Sequence, residues 1–321
     1  HRTDLPTYAF QHQRYWLNPV ASNGVPGLSA GHPLLDIVAN VPETGGVLAA
    51  GRLSLAAQPW LADHVVSGTV LLPGAALVEL AIRAGDEVGA STLRELVIEA
   101  PLVVPDQGAV RVQVSVGEER DGVRPVAVYS RPDDAESGAD WTRHASGQLG
   151  TDAPTAGQEL AVWPPEGAVA VDVTDLYEEL AGRGYGYGPV FQGLRAVWKR
   201  EGEVFAEVAL PSGEEEVAGG FGLHPALLDA ALHAGAFSGA EESDGEGLFL
   251  PFAWSGVSLY ASGASSLRVR LTSSGPEALS LDLADGAGVP VASVESLVLR
   301  VVSGEELKVS GAGESLFRVE W

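Results

Sequence analysis

Two stretches of this chain read as helices with no face left for water. Gly74 to Ala84 (GAALVELAIRA) places Ala75, Leu77, Val78, Leu80, Ala81 and Ile82 round a largely apolar cylinder, and Pro73 with Gly74 marks its start. A second such segment runs from Pro225 to about Phe237. A helix apolar nearly all round must be enclosed, so each needs a wrapping of other elements.

The flanking segments supply strands. Leu34 to Val41 and Gly46 to Leu55, joined by Pro42 to Gly45, read as a hairpin. Short β-rich runs follow at Leu93 to Val104, Ala109 to Val116, Val123 to Tyr129 and Trp141 to Leu149. Thr151 to Val169, rich in Pro, Gly and Ala, reads as an internal linker. The plan then repeats: a short helix near Asp175 to Arg183, strands at Val190 to Lys199 and Glu203 to Leu210, the second buried helix, and strands at Trp254 to Tyr260, Leu267 to Thr272, Leu279 to Leu283 and Val289 to Val302. The expectation is two tandem α+β units, each a curved antiparallel sheet round one helix.

Composition narrows the partners. Nineteen Lys and Arg against forty-three Asp and Glu leave a net charge of −24, which argues against nucleic acid and against anionic lipid. The longest uncharged stretches, Tyr15 to Leu35 and Gly247 to Leu267, are broken by prolines or glycines and do not read as membrane spans. Without cysteine there is no disulfide, thiol nucleophile or thiolate metal site, and the seven histidines are too scattered for a metal centre. The absence of methionine suggests a segment of a longer polypeptide.

Three places could carry chemistry. His64 lies on the approach to the first buried helix, in WLADHVVSGTVLLPG, either as a satisfied core histidine or as a base. Asp229 lies within the second, in HPALLDAALH; it could pair with His233 one turn on, or be a carboxylic acid whose pKa is raised by a dry pocket. Gly184 to Gly193 (GYGYGPVFQG) is glycine-rich, but Pro189, Val190 and Phe191 lead into a strand rather than a helix, which argues against a dinucleotide cradle and leaves a tight loop.

Taken together, these pieces resemble the dehydratase domains of modular type I polyketide synthases. His64-xxx-Gly68-xxxx-Pro73 is similar to their first motif, Gly184 to Gln192 to their second, and Asp229-xxx-His233 with Leu250-Pro-Phe252 to later ones. The resemblance implies a double hotdog, with 1–28 as a linker following an acyltransferase domain, 29–152 and 170–305 as the two hotdogs, 153–169 between them, and 306–321 leading toward a ketoreductase. It implies removal of water from a 3-hydroxyacyl thioester on an acyl carrier protein. It implies no intrinsic cofactor or metal, only the carrier's phosphopantetheine. The setting would be a cytoplasmic, homodimeric multienzyme.

In that reading His64 is the base and Asp229 the acid. Gly74, at the start of the first buried helix, offers an amide to the thioester oxygen, and Gly68 and Pro73 shape the approach. Tyr187 is expected to bring a hydroxyl near Asp229, ahead of Tyr185. Tyr185, Gly188, Pro189, Phe191, Leu250 and Pro251 are expected against the substrate. His233, where the family more often has Gln, would orient the acid. A product-template-like cyclase could use the same pair, and a non-catalytic structural domain of the same multienzyme would use neither.

Overall fold

A computed structural model describes residues 28–136, 138–151, 157–238, 247–275 and 278–302. Apart from Leu28, the expected flanking segments 1–28 and 306–321 lie outside these residues.

The first half contains β1 (Leu28–His32), β2 (Leu35–Val41), β3 (Gly46–Leu53), β4 (His64–Val66), β5 (Thr69–Val70), helix α1 (Gly74–Asp86), β6 (Thr92–Ile98), β7 (Val110–Val116), β8 (Val123–Pro132) and β9 (Thr142–Gly150). The second contains β10 (Val169–Val171), α2 (Leu176–Arg183), β11 (Tyr185–Tyr187), β12 (Leu194–Arg200), β13 (Glu203–Ala209), the single turn α3 (Glu215–Ala218), α4 (Pro225–His233), β14 (Leu248–Leu259), β15 (Ser266–Gly275), β16 (Ala278–Ala284) and β17 (Pro290–Val302).

Fourteen strands form one antiparallel sheet in the order β1-β2-β3-β7-β8-β9-β6-β14-β17-β16-β15-β13-β12-β10. The first seven positions belong to the first half and the last seven to the second, so the halves join where β6 pairs with β14. Strand alternation follows the sequence: β7 (VRVQVSV) buries each valine between more exposed partners. α1 packs against β3, β6, β7, β8 and β9, and ten of its thirteen residues are buried, as a helix with no wet face requires. α4 packs against β12, β13 and β15, and the two helices meet. Among the described residues no helix is long and apolar enough to cross a membrane.

Several boundaries differ from those read in the sequence. The run from Leu93 leaves the sheet after Ile98, and Val190 to Gly193 form a turn, with the strand starting only at Leu194. α4 ends at His233 and continues as a 3-10 turn to Phe237. The Pro-rich segment after residue 157 lies against the second half: Trp163 donates its indole N–H to Glu207 (2.7 Å) and sits edge-on to Trp198 and Phe205. Arg268 stacks over the Trp163 ring and donates to the Leu160 carbonyl (3.0 Å).

At the junction Leu96 of β6 stands opposite Trp254 of β14, and neither side chain reaches solvent. Leu96→Ala is expected to cost about 3 kcal/mol, the usual scale for emptying a fully buried leucine site. A lowered urea midpoint at unchanged slope would register it; an unchanged midpoint would mean that this junction is not part of the cooperative core.

Candidate active site

The site forms where the halves touch a second time. A three-stranded sheet, β11-β4-β5, pairs β11 of the second half with β4 of the first, setting Tyr187 opposite His64, Gly186 opposite Val65 and Tyr185 opposite Val66. β4 turns into β5 through Ser67 (φ 50°) and Gly68 (φ 79°), a left-handed pair typical of a tight hairpin. Gly68 therefore serves the turn.

The hairpin brings the Leu71 carbonyl within 2.8 Å of His64 Nδ1. A carbonyl only accepts, so Nδ1 carries the proton and Nε2 presents a lone pair. That nitrogen lies 3.8 Å from Asp229 Oδ2, and both side chains are buried. Burial holds the His64 imidazole below its ordinary value of 6.5, against the opposing pull of Asp229 and the Leu71 carbonyl. His64 is thus a neutral base near pH 7.

Asp229 Oδ2 lies 3.2 Å from His233 Nε2, and His233 Nδ1 lies 3.3 Å from the Tyr177 hydroxyl. The Tyr177 oxygen accepts the Leu194 amide N–H at 2.9 Å. One consistent set of protons runs from the Tyr177 hydroxyl to Nδ1 and from Nε2–H to the carboxylate, which is the arrangement an ionised Asp229 requires. Burial raises the Asp229 pKa, but the His233 hydrogen bond and the charges that His64 and His233 can carry lower it, and the balance falls below the ordinary carboxylate value. Burial, on which the sequence expectation of a protonated acid rests, acts in the expected direction, and the His233 hydrogen bond acts against it.

The glycine-rich loop braces His64 from behind. Asp63 Oδ2 accepts the Val190 N–H (2.9 Å), and the Asp63 carbonyl accepts the Gly188 N–H (2.8 Å). A Cβ on Gly188 would collide with the Asp63 carboxylate, so the loop closes this tightly only with glycine there. Gln192 donates to the Tyr187 carbonyl (2.8 Å). Phe191 is buried with its ring centroid 4.9 Å from that of His64.

A mostly apolar cavity of about 100 Å³ opens on this group. His64, Asp229, His233, Gly74, Tyr185, Tyr187, Leu250 and Pro251 line it. Gly74 begins α1, and a Cβ there would stand 3.1 Å from both Ile98 and Pro251, so glycine brings the helix start close to the rim of β14.

Pro73 caps α1 without lining the cavity, and Gly188, Pro189 and Phe191 lie in or behind the loop instead of against the cavity. Tyr185 uses its hydroxyl on the backbone of Phe249, accepting from its N–H (2.6 Å) and donating to its carbonyl (3.0 Å). The hydroxyl that reaches the acid's partner is that of Tyr177; the Tyr187 ring packs on His233, with centroids 4.3 Å apart. Tyr177 belongs to α2, outside every motif, and only the position of α2 against α4 singles it out.

NMR titration of the protein should find His64 half-protonated below pH 6.5. Asp229→Asn should move that midpoint lower still, because the Asp229 charge is what raises it. An upward move would mean that the two groups do not interact as their separation indicates.

The chain is similar to known proteins over most of its length. The profile of the polyketide synthase dehydratase domain matches residues 32–131, and that of the polyketide synthase dehydratase N-terminal domain matches residues 155–308. Polyketide synthase GfsA of Streptomyces halstedii is 58% identical over 334 residues that cover 100% of this chain. The chain spans only 4% of that protein's length. The dehydratase domain from the terminal module of the rifamycin polyketide synthase superposes with a TM-score of 0.80 at 49% identity, covering 86% of this chain and 98% of that one. A bifunctional dehydratase-cyclase domain in ambruticin biosynthesis superposes with a TM-score of 0.80 at 44% identity, covering 88% and 100%.

Proposed function

Since the chain belongs to the polyketide synthase dehydratase family, we propose that His64 and Asp229 are the pair with which it removes water from a 3-hydroxyacyl thioester. The fold is the double hotdog of that family, and the activity is that of a hydro-lyase needing no intrinsic cofactor. One observation supports the pair above all: a neutral imidazole with a free lone pair and a carboxyl group stand 3.8 Å apart beside an otherwise apolar cavity.

His64 Nε2 takes the proton from C2 while the bond between C3 and its hydroxyl breaks. Asp229 gives a proton to that hydroxyl, which leaves as water, and the C2–C3 double bond forms. Charge gathering on the thioester oxygen is met by the first amides of α1, with the Gly74 N–H foremost, an effect of about 3 kcal/mol in other enzymes. In the ligand-free site Asp229 sits below the ordinary range. Burial favours the protonated carboxyl group, so exclusion of the remaining water by an acyl chain in the cavity shifts Asp229 toward the form that can give a proton.

The substrate is carried on the phosphopantetheine arm of an acyl carrier protein, during polyketide chain extension. Residues 29–152 and 170–305 form the two hotdogs, 153–169 join them, and 1–28 and 306–321 lead to acyltransferase and ketoreductase neighbours in one homodimeric polypeptide. That the relatives are large synthases of which this chain matches a small part supports this setting. A cyclase reading has support in the ambruticin domain's similarity. Ultraviolet absorbance of the enoyl thioester separates the two: both products weigh one water less than the substrate, but ring closure by addition of an internal hydroxyl removes the conjugated double bond.

His64→Phe and Asp229→Asn should each lower turnover at least about 100-fold with the circular dichroism spectrum unchanged. More than about a tenth of wild-type turnover in either would remove that residue from its role. At saturating substrate, kcat should fall on acidification with a midpoint below 6.5, as a buried base requires.

His233→Gln should retain most of the activity, because an amide offers a donor to Asp229 and an acceptor to Tyr177. His233→Ala should lose more. Tyr177→Phe should cost about five- to tenfold in kcat, the worth of one hydrogen bond of ~1 kcal/mol. A His233→Gln protein as inactive as His64→Phe would make His233 a proton-transfer residue.

A further inference from the structure

Away from the cavity a buried carboxylate ties the halves together. Glu79 lies midway along α1 and is 4% exposed. Its Oε1 accepts the Gly222 N–H at 2.7 Å and lies 3.0 Å from His32 Nε2; its Oε2 accepts the Leu223 N–H at 3.0 Å. His32 Nδ1 accepts the Leu34 N–H (3.2 Å), which leaves the imidazole proton on Nε2, facing Glu79. Donors from the end of β1 and from the approach to α4 thus converge on an acceptor carried by α1.

The contact is close. A Cβ on Gly222 would stand 2.8 Å from Leu259 and 3.2 Å from Glu79 Oε2. Burying a carboxylate is costly unless it is fully paired, and the rest of α1 facing the interior is apolar, so packing alone does not call for this residue. The approach it grips leads directly into α4: His224 caps that helix, its Nδ1 accepting the Ala226 N–H (3.2 Å), and Asp229 follows within the helix. Where α1 and α4 meet through apolar side chains, packing sets their separation but resists sliding only weakly; the two directional hydrogen bonds from Gly222 and Leu223 fix the sliding as well, and His32 holds Glu79 itself in place.

The latch also borders the base. His32 stands edge-on to Phe221 (centroids 5.2 Å apart), Phe221 to Trp60 (6.1 Å), Trp60 stacks on Phe191 (6.0 Å), and Phe191 packs against His64 (4.9 Å).

We propose that Glu79 is a positioning residue for the elimination, fixing α4 against α1 and thereby the placement of Asp229 relative to His64. The inference rests on those two residues being the acting pair.

Steady-state kinetics on a 3-hydroxyacyl pantetheine thioester, with wild type, Glu79→Gln and Asp229→Asn compared, tests it. The amide of Glu79→Gln turns a donor toward one of three donors and should loosen the latch. kcat should fall at least about tenfold with KM within about twofold, since a misplacement on the scale of 1 Å is enough to cost that much. Amide hydrogen exchange at Gly222 and Leu223 should quicken. A folded Glu79→Gln protein with wild-type kcat, beside an inactive Asp229→Asn, overturns the latch and leaves the catalytic pair standing. Retained activity in Asp229→Asn overturns the pair and the latch with it. If Glu79→Gln does not fold, His32→Gln and His32→Ala decide. Glutamine keeps a donor toward Glu79 and should hold kcat near wild type while alanine lowers it, whereas equal kcat in both overturns the proposal.

Discussion

A ladder of three residue pairs, between β4 and β11, determines what this molecule can do. It brings a histidine from one half beside a carboxylate carried by the other, and neither half alone offers both groups. So short a ladder would not hold in isolation. It is stabilised by what lies on either side of it: the continuous sheet through β6 and β14, the contact of α1 with α4, and the glycine loop closed on Asp63. The site is therefore a seam whose geometry the two cores impose from outside.

That origin accounts for the site's electrostatics. Each half delivers its functional group with its polar partners already attached, Leu71 for His64, and His233 with Tyr177 for Asp229. Dryness and hydrogen bonding then act in opposite senses on the carboxyl group and in partial opposition on the imidazole. For His64 burial wins, which yields a base that is neutral at physiological pH. For Asp229 the polar partners outweigh burial, and the carboxyl group falls below its ordinary range.

Much of the architecture could be read from the chain because it rests on periodicity. The helices α1 and α4 have no polar face, and strands such as β7 alternate strictly. β4, β5 and β11 could not be read in this way: at two or three residues they are too short for a period to register, and they exist only because the halves meet there. His64 and Asp229 stood out as polar residues in apolar surroundings, and the fold brings them 3.8 Å apart. Pro189 and Phe191, read as lying against substrate, sit in the loop behind His64 and outside the cavity lining, because a motif marks what is constrained without distinguishing contact from support. Tyr177 carried no local signal, and Glu79, a carboxylate within an apolar helix as Asp229 is, showed nothing locally of what it binds. Their partners are remote in sequence, Tyr177 meeting Leu194 and His233, and Glu79 meeting His32 and Gly222.

His233 shows how little of a residue's identity the seam specifies. The position must present a donor toward Asp229 and an acceptor toward Tyr177, on opposite ends of one side chain of suitable length. Neutral imidazole and a primary amide both satisfy this, so the geometry admits either histidine or glutamine here. They differ once a proton is added. A protonated imidazole has two donors and no acceptor, so it would forfeit the Tyr177 hydroxyl proton as a partner and bind the carboxylate more strongly, whereas an amide keeps both roles across the same pH range.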